Sequence, residues 1–210
     1  MSRFFYWFVK ITAWPVQKLV FRTKIFFESN KKGQRKIKGP AIVVSNHTSV
    51  YDYAVMLFVF RSRVLRYQMA EVLFKKRFLG WFLKAMGGIK VDRDSHDFGF
   101  IERSKEILDL GGVVGVFPES RLPKPEEERP LPFRPSAAYL SLYSGVPVVP
   151  VYISGGYFKK NGIKVVIGDT IDLRDRYDES KSEKENLESL SDLLRDKIIE
   201  LGTKVDVKQN

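Results

Sequence analysis

"AIVVSNHTSVYDYAVMLFVF", residues 41–60, decides how this chain folds. Its first four residues are apolar and mostly β-branched, the composition of a short strand buried on both faces. Val50–Phe60 is apolar again and is preceded by a helical start signal. Between the two lies a polar cluster, Ser45-Asn46-His47-Thr48-Ser49, that holds one of the chain's two histidines. A buried strand, a polar turn and a helix form the repeating unit of an α/β sheet. The polar exits of such strands are where ligands and catalytic groups collect.

Outward from this stretch the same alternation continues. Apolar stretches at 89–91, 113–117, 146–153 and 163–167 read as strands, with an edge strand near 64–69. Helical patterns occupy 71–86, 98–110 and 136–143, and Leu187, Leu190, Leu194, Ile198 and Leu201 mark a last helix. Gly87-Gly88 and Gly111-Gly112 stop two of the helices, and 118–135, with six prolines, is a loop. The expected fold is an α/β domain over 31–210, with a mixed, mostly parallel central sheet flanked by helices. An N-terminal amphipathic segment over 1–30 is expected at the membrane interface.

That N-terminal segment is rich in aromatics and cations. Its longest uncharged runs, Phe4–Val9 and Ile11–Gln17, fall well short of the roughly 20 apolar residues of a spanning helix. Lys10 and Lys18 interrupt any signal-peptide core. Arg3, Lys10, Gln17 and Lys24 recur every seven residues, a polar stripe on a helix, with Phe4, Phe8 and Ile11 away from it. Pro15 is expected to kink or split that helix. Rings flanked by Lys and Arg suit the headgroup region of a bilayer; the alternative is a helix packed on its own domain.

Composition bounds the chemistry. With 210 residues, 44% of them hydrophobic, the chain is long enough for a sizeable core. It has no cysteine, which excludes a thiol nucleophile, a disulfide framework and a Cys-based metal site. Thirty-six Lys and Arg against twenty-five Asp and Glu give a formal charge of +11. Such a surface favours anionic partners, whether nucleic acid, anionic lipid, a phosphorylated substrate or an acidic carrier protein. No helix-turn-helix, zinc-finger or RNP signature supports nucleic acid, and no metal site is expected.

His47 and Asp52 are five residues apart and do not share a face of one helix. They meet only if His47 lies in the turn and Asp52 in the first helical turn. Ser49-Val50-Tyr51-Asp52 fits a capping box, with Ser49 as N-cap. Asp52 is then either a simple cap beside a loop histidine, or half of a His–Asp dyad in which the carboxylate orients the imidazole and the imidazole takes a hydroxyl proton. No G-x-S-x-G elbow is present, so in the dyad reading the hydroxyl belongs to a substrate.

These residues resemble the glycerolipid acyltransferases of the 1-acylglycerol-3-phosphate acyltransferase type. "NHTSVYD" (46–52) matches that family's Asn-His, four residues, Asp motif. "GGIKVDR" (87–93), "VFPES" (116–120) and "VPVVPVYI" (146–153) resemble its second, third and fourth blocks, in order. The resemblance implies His47 as general base and Asp52 as its orienting carboxylate. It also implies Arg93 and Arg121 on the acceptor phosphate, and an acceptor site that includes Glu119 and Ser120. As a carboxylate, Glu119 would hold a cation or a hydroxyl. The third block departs from the family's Phe-Pro-Glu-Gly-Thr-Arg: Ser120 replaces a Gly, and Arg121 takes the place of the family Arg if one residue is deleted.

What the resemblance implies is a membrane-associated O-acyltransferase; the compact domain and the lack of sorting signals in the sequence add the expectation of the cytoplasmic face of the inner membrane. It would need no cofactor, and would move a fatty acyl group from acyl-CoA or acyl carrier protein to lysophosphatidate. A relative acting on another lysolipid acceptor, or a catalytically silent lipid-surface protein, is the alternative.

Overall fold

The computed structural model describes residues 3–29, 35–92 and 98–207. Strand β2 (Ala41–Ser45) is buried along its whole length. Its side chains alternate between two apolar layers: Ala41 and Val43 enter one, Ile42 and Val44 the other. A strand buried on both faces needs apolar residues at every position, which is why this segment reads as a continuous hydrophobic run. Burying each such Val or Ile contributes about 1.5–3 kcal/mol.

Around β2 the chain lays down β1 (Lys24–Phe27), β3 (Leu65–Ala70), β4 (Ile89–Val91), β5 (Val113–Val116), β6 (Val148–Ile153) and β7 (Lys164–Ile167). They form one seven-stranded sheet in the order β1-β7-β6-β2-β5-β3-β4. Every neighbouring pair is parallel except β6 with β7. The sheet is therefore mixed and mostly parallel, with helices on both faces. On one face Val55, Met56 and Val59 of α2 (Asp52–Val59) pack beside Leu83 of α4 (Arg77–Ala85). On the other face are α5 (Gly99–Asp109), α6 (Ser136–Ser144) and α7 (Glu183–Val207).

Gly115 shows how register and composition meet. It lies opposite Tyr67 in the β3–β5 pair, and a Cβ on it would fall 2.4 Å from the Tyr67 ring. The glycine inside an otherwise β-branched strand leaves room for that ring.

Several boundaries differ from the sequence reading. Residues 24–27, assigned to the N-terminal segment, are the edge strand β1 of the sheet. Strand β3 lies inside the sheet, with β4 as the edge. The helix expected over 71–86 is two pieces, α3 (Glu71–Lys75) and α4, broken at Lys76, whose backbone is extended.

Helix α1 (Arg3–Phe21) runs through Pro15 without a break. Of its polar stripe, Lys10 and Gln17 face inward, while Arg3 is exposed and Lys24 lies beyond the helix in β1. The buried Lys10 ammonium donates to the Phe60 and Arg63 carbonyls at 2.8 and 3.0 Å, closing the C-terminal end of α2. Gln17 Nε2 donates to Thr23 Oγ1 at 2.9 Å, and the buried Tyr6 hydroxyl accepts the Leu65 N–H at 3.0 Å. Burial, and then the nearby Arg35 charge, lower the Lys10 pKa to about 8. With Lys10 and Gln17 turned to the domain, Phe4, Phe8, Ile11 and Leu19 face solvent, Phe4 at 82% exposure. Phe78 and Trp81 of α4 are also exposed, and Trp81 lies edge-on to Phe5 of α1 at 5.5 Å. Among the described residues no helix is long and apolar enough to cross a membrane.

Candidate active site

The neighbouring parallel strands β5, β2 and β6 all end on one edge of the sheet, and the polar residues that follow them form the site. After β2, the Asn46 side chain continues the strand ladder. Its Oδ1 accepts the Ile153 N–H and its Nδ2 donates to the Ile153 carbonyl, both at 2.8 Å. This clamp closes the β2–β6 junction and turns the chain so that His47 leaves the sheet.

His47 and Asp52 meet. His47 Nδ1 lies 2.8 Å from Asp52 Oδ2. Because a carboxylate only accepts, this contact assigns the imidazole proton to Nδ1 and leaves the Nε2 lone pair as the basic site. The histidine side chain is 21% exposed and Asp52 is fully buried, so solvent or substrate reaches the imidazole but not the carboxylate. The capping-box expectation is half met. Asp52 Oδ2 accepts the Ser49 N–H at 2.9 Å, while the residue preceding the first helical turn is Tyr51 rather than Ser49.

Asp52 is held from all sides. It accepts from the Thr48 N–H at 2.6 Å, from Thr48 Oγ1 at 2.9 Å and from the Tyr157 hydroxyl. Tyr157, in the loop after β6, raises its own pKa through burial and through the Asp52 charge, which keeps it protonated as a donor. On the other side the imidazole stacks on Phe117, the residue after β5, with centroids 4.3 Å apart and planes 15° from parallel. Phe117 in turn stacks on Tyr67 at 4.7 Å. Tyr157, Phe117 and Thr48 were not singled out from sequence. Phe117 and Thr48 lie inside recognised motifs, but Tyr157 sits 105 positions from Asp52 and only the fold brings them together.

Glu119 joins two segments of the site. It is buried, and its two oxygens accept backbone N–H groups, Oε1 from His47 at 2.6 Å and Oε2 from Leu131 at 2.8 Å. It therefore ties the 118–135 loop to the turn that holds His47. Burial raises its pKa, and the two N–H groups offset part of that rise.

Ser120 has φ 63, a left-handed conformation that explains why the family pattern has Gly there. Arg121, expected on the acceptor phosphate, is in a bidentate ion pair with Glu127, both contacts at 2.7 Å. The acidic run of its own loop neutralises it. Arg93 lies outside the described residues. Among the described residues no group of three or more His, Asp and Glu side chains is placed to hold a metal ion.

Comparison with known proteins agrees with this architecture. An acyltransferase family model matches residues 24–154. The chain is 24% identical over 170 residues to the 1-acyl-sn-glycerol-3-phosphate acyltransferase of Bacillus subtilis (strain 168), covering 79% of this chain and 82% of that protein. It is 27% identical over 135 residues to a chloroplastic 1-acyl-sn-glycerol-3-phosphate acyltransferase of Brassica napus, covering 62% of this chain and 38% of that one. The crystal structure of the LPA acyltransferase PlsC from Thermotoga maritima superposes with a TM-score of 0.65 at 20% identity, over 94% of this chain and 79% of that one. That likeness is one of fold. A family model that spans the sheet from β1 to the end of β6, and so contains the whole His47–Asp52 turn, shows that this chain belongs to the acyltransferase family.

Proposed function

We propose that this acyltransferase moves a fatty acyl group from a thioester donor, acyl-CoA or acyl carrier protein, to the free hydroxyl of 1-acylglycerol 3-phosphate. The observation that carries the reading is the 2.8 Å contact between His47 Nδ1 and a buried Asp52. In this mechanism His47 Nε2 takes the acceptor hydroxyl proton as the oxygen attacks the thioester carbonyl. Asp52 stabilises the imidazolium, and the proton passes to the leaving thiolate as the tetrahedral intermediate collapses. The Bacillus and Brassica relatives, both named 1-acyl-sn-glycerol-3-phosphate acyltransferases, support the acceptor.

The reaction belongs at a membrane surface. The outward apolar side of α1, with Phe78 and Trp81 of α4 beside it and a formal charge of +11, suits an anionic bilayer interface. The cytoplasmic face of the inner membrane, where both thioester donors are found, is the location that fits this reading.

The test uses anionic vesicles carrying lysophosphatidate, with long-chain acyl-CoA or acyl carrier protein added. The protein should sediment with the vesicles and release free thiol and phosphatidate in equal amounts, followed by mass. Sedimentation without phosphatidate from either donor would sink the lysophosphatidate assignment, and turnover by protein that stays off the vesicles would sink the interfacial one.

A further inference from the structure

A second cleft, of about 320 Å³, opens beside the dyad. Asn46 and Thr48, the residues on either side of His47, form one wall, and Gly155 and Gly156 form another. Arg129 and Lys159 stand at its rim. The first wall's polar side chains are already engaged, Asn46 with Ile153 and Thr48 with Asp52.

The other groups are not. Neither the Gly155 nor the Gly156 N–H has an acceptor among the described residues, and Gly155 is buried. Both glycines have left-handed backbones, φ 68 and 75, a conformation that glycine adopts at no steric cost and that leaves the backbone open to close approach by a ligand. Lys159 has no carboxylate partner among the described residues, and the side-chain contact of Arg129 is a long one, Nη2 to the Lys124 carbonyl at 3.4 Å. No carboxylate lines the cleft. Two cations and two unpartnered amides around a small polar opening match a phosphate group, which accepts both charged and neutral donors.

The geometry points to this cleft as a phosphate-binding subsite of the acyl-transfer site, formed by Arg129, Lys159 and the Gly155-Gly156 amides. The assignment rests on the acyltransferase reading above and adds a set of residues outside the recognised motifs. It also answers the loss of Arg121 to Glu127. The phosphate is either the acceptor's glycerol phosphate or a phosphate of the donor's pantetheine arm. The two share the same chemistry and are separated by binding.

The experiment titrates glycerol 3-phosphate and coenzyme A, separately, into the full chain by calorimetry at low salt. It compares the wild type with Arg129→Gln/Lys159→Gln. A second double variant, Lys181→Gln/Lys184→Gln, removes the same charge far along the chain. All four side chains are exposed, and circular dichroism checks that both variants fold.

The subsite predicts that one probe binds the first double variant at least about tenfold more weakly, the order expected for losing two charge-assisted contacts, while the charge-matched variant binds like the wild type. Loss for glycerol 3-phosphate makes it the acceptor's subsite, and loss for coenzyme A makes it the donor's. Equal binding of both probes by wild type and first variant, equal losses in the two double variants, or no binding of either probe by the wild type would overturn it. These readouts need no turnover. Probe binding that depends on the cleft in a protein that makes no phosphatidate would leave the subsite standing and remove the function.

Discussion

In the proposed mechanism His47 works only as well as Asp52 is held. The carboxylate has no exposed surface and accepts from the imidazole, two backbone amides and two hydroxyls. Of these donors, Tyr157 alone comes from outside the catalytic turn. Its hydroxyl shares the Asp52 charge with the imidazole, on the oxygen the imidazole does not use. Removing it leaves the carboxylate, and the imidazole it orients, less firmly placed. Tyr157→Phe is therefore expected to lower kcat about tenfold and leave KM within about twofold, an interaction that matters after substrate is bound. A merely structural tyrosine would lower the amount of folded enzyme and leave kcat per folded molecule unchanged, so an unchanged kcat contradicts the positioning role.

At the scale of elements, the turn after β5 carries strain that its sequence does not relieve. Ser120 occupies a left-handed conformation, which costs an L-residue about 1–2 kcal/mol. Its Oγ lies 3.5 Å from the Pro118 carbonyl, too long to compensate. Ser120→Gly should raise unfolding stability by about 1 kcal/mol, seen as a higher urea midpoint with unchanged slope. A lower midpoint would mean that the serine hydroxyl holds the turn.

This turn also shows where sequence reading stops. The replaced glycine was visible at position 120 and the buried strands were visible from β-branched runs, because both are local patterns. The bidentate Arg121–Glu127 pair was not, since charge in a loop does not say which partner it folds onto. The same holds for α1. The seven-residue repeat of Lys10 and Gln17 located a stripe, but only the carbonyls at the end of α2 decide that the stripe faces in.

The whole molecule is closed by its two ends. Glu28, just after β1, accepts from the Lys197 and Lys204 ammonium groups of α7 at 2.6 and 2.7 Å, and from the Asp169 N–H at 2.9 Å. Burial pushes the Glu28 carboxyl up, but the two ammonium groups and the amide outweigh it and hold the pKa at about 2, below its ordinary 4.5. A carboxylate depressed in the folded state contributes stability that is complete above pH 4.5 and is lost as pH falls toward 2. Urea midpoints of the wild type should therefore fall across that window more steeply than those of Glu28→Gln. Parallel curves would show that the ends are joined by packing alone.

The edge of the sheet that carries His47 and Asp52 and the apolar side of α1 belong to one chain, and the proposed acyl transfer at a lipid surface would use both. The most direct measurement of the central claim is phosphatidate formation on vesicles by wild type and by His47→Ala, at equal vesicle-bound protein. The account predicts turnover by the wild type and a loss of at least about a hundredfold in kcat for the variant, the lower end of what general base catalysis supplies. Turnover by His47→Ala within about tenfold of the wild type would place the proton transfer elsewhere and contradict the account.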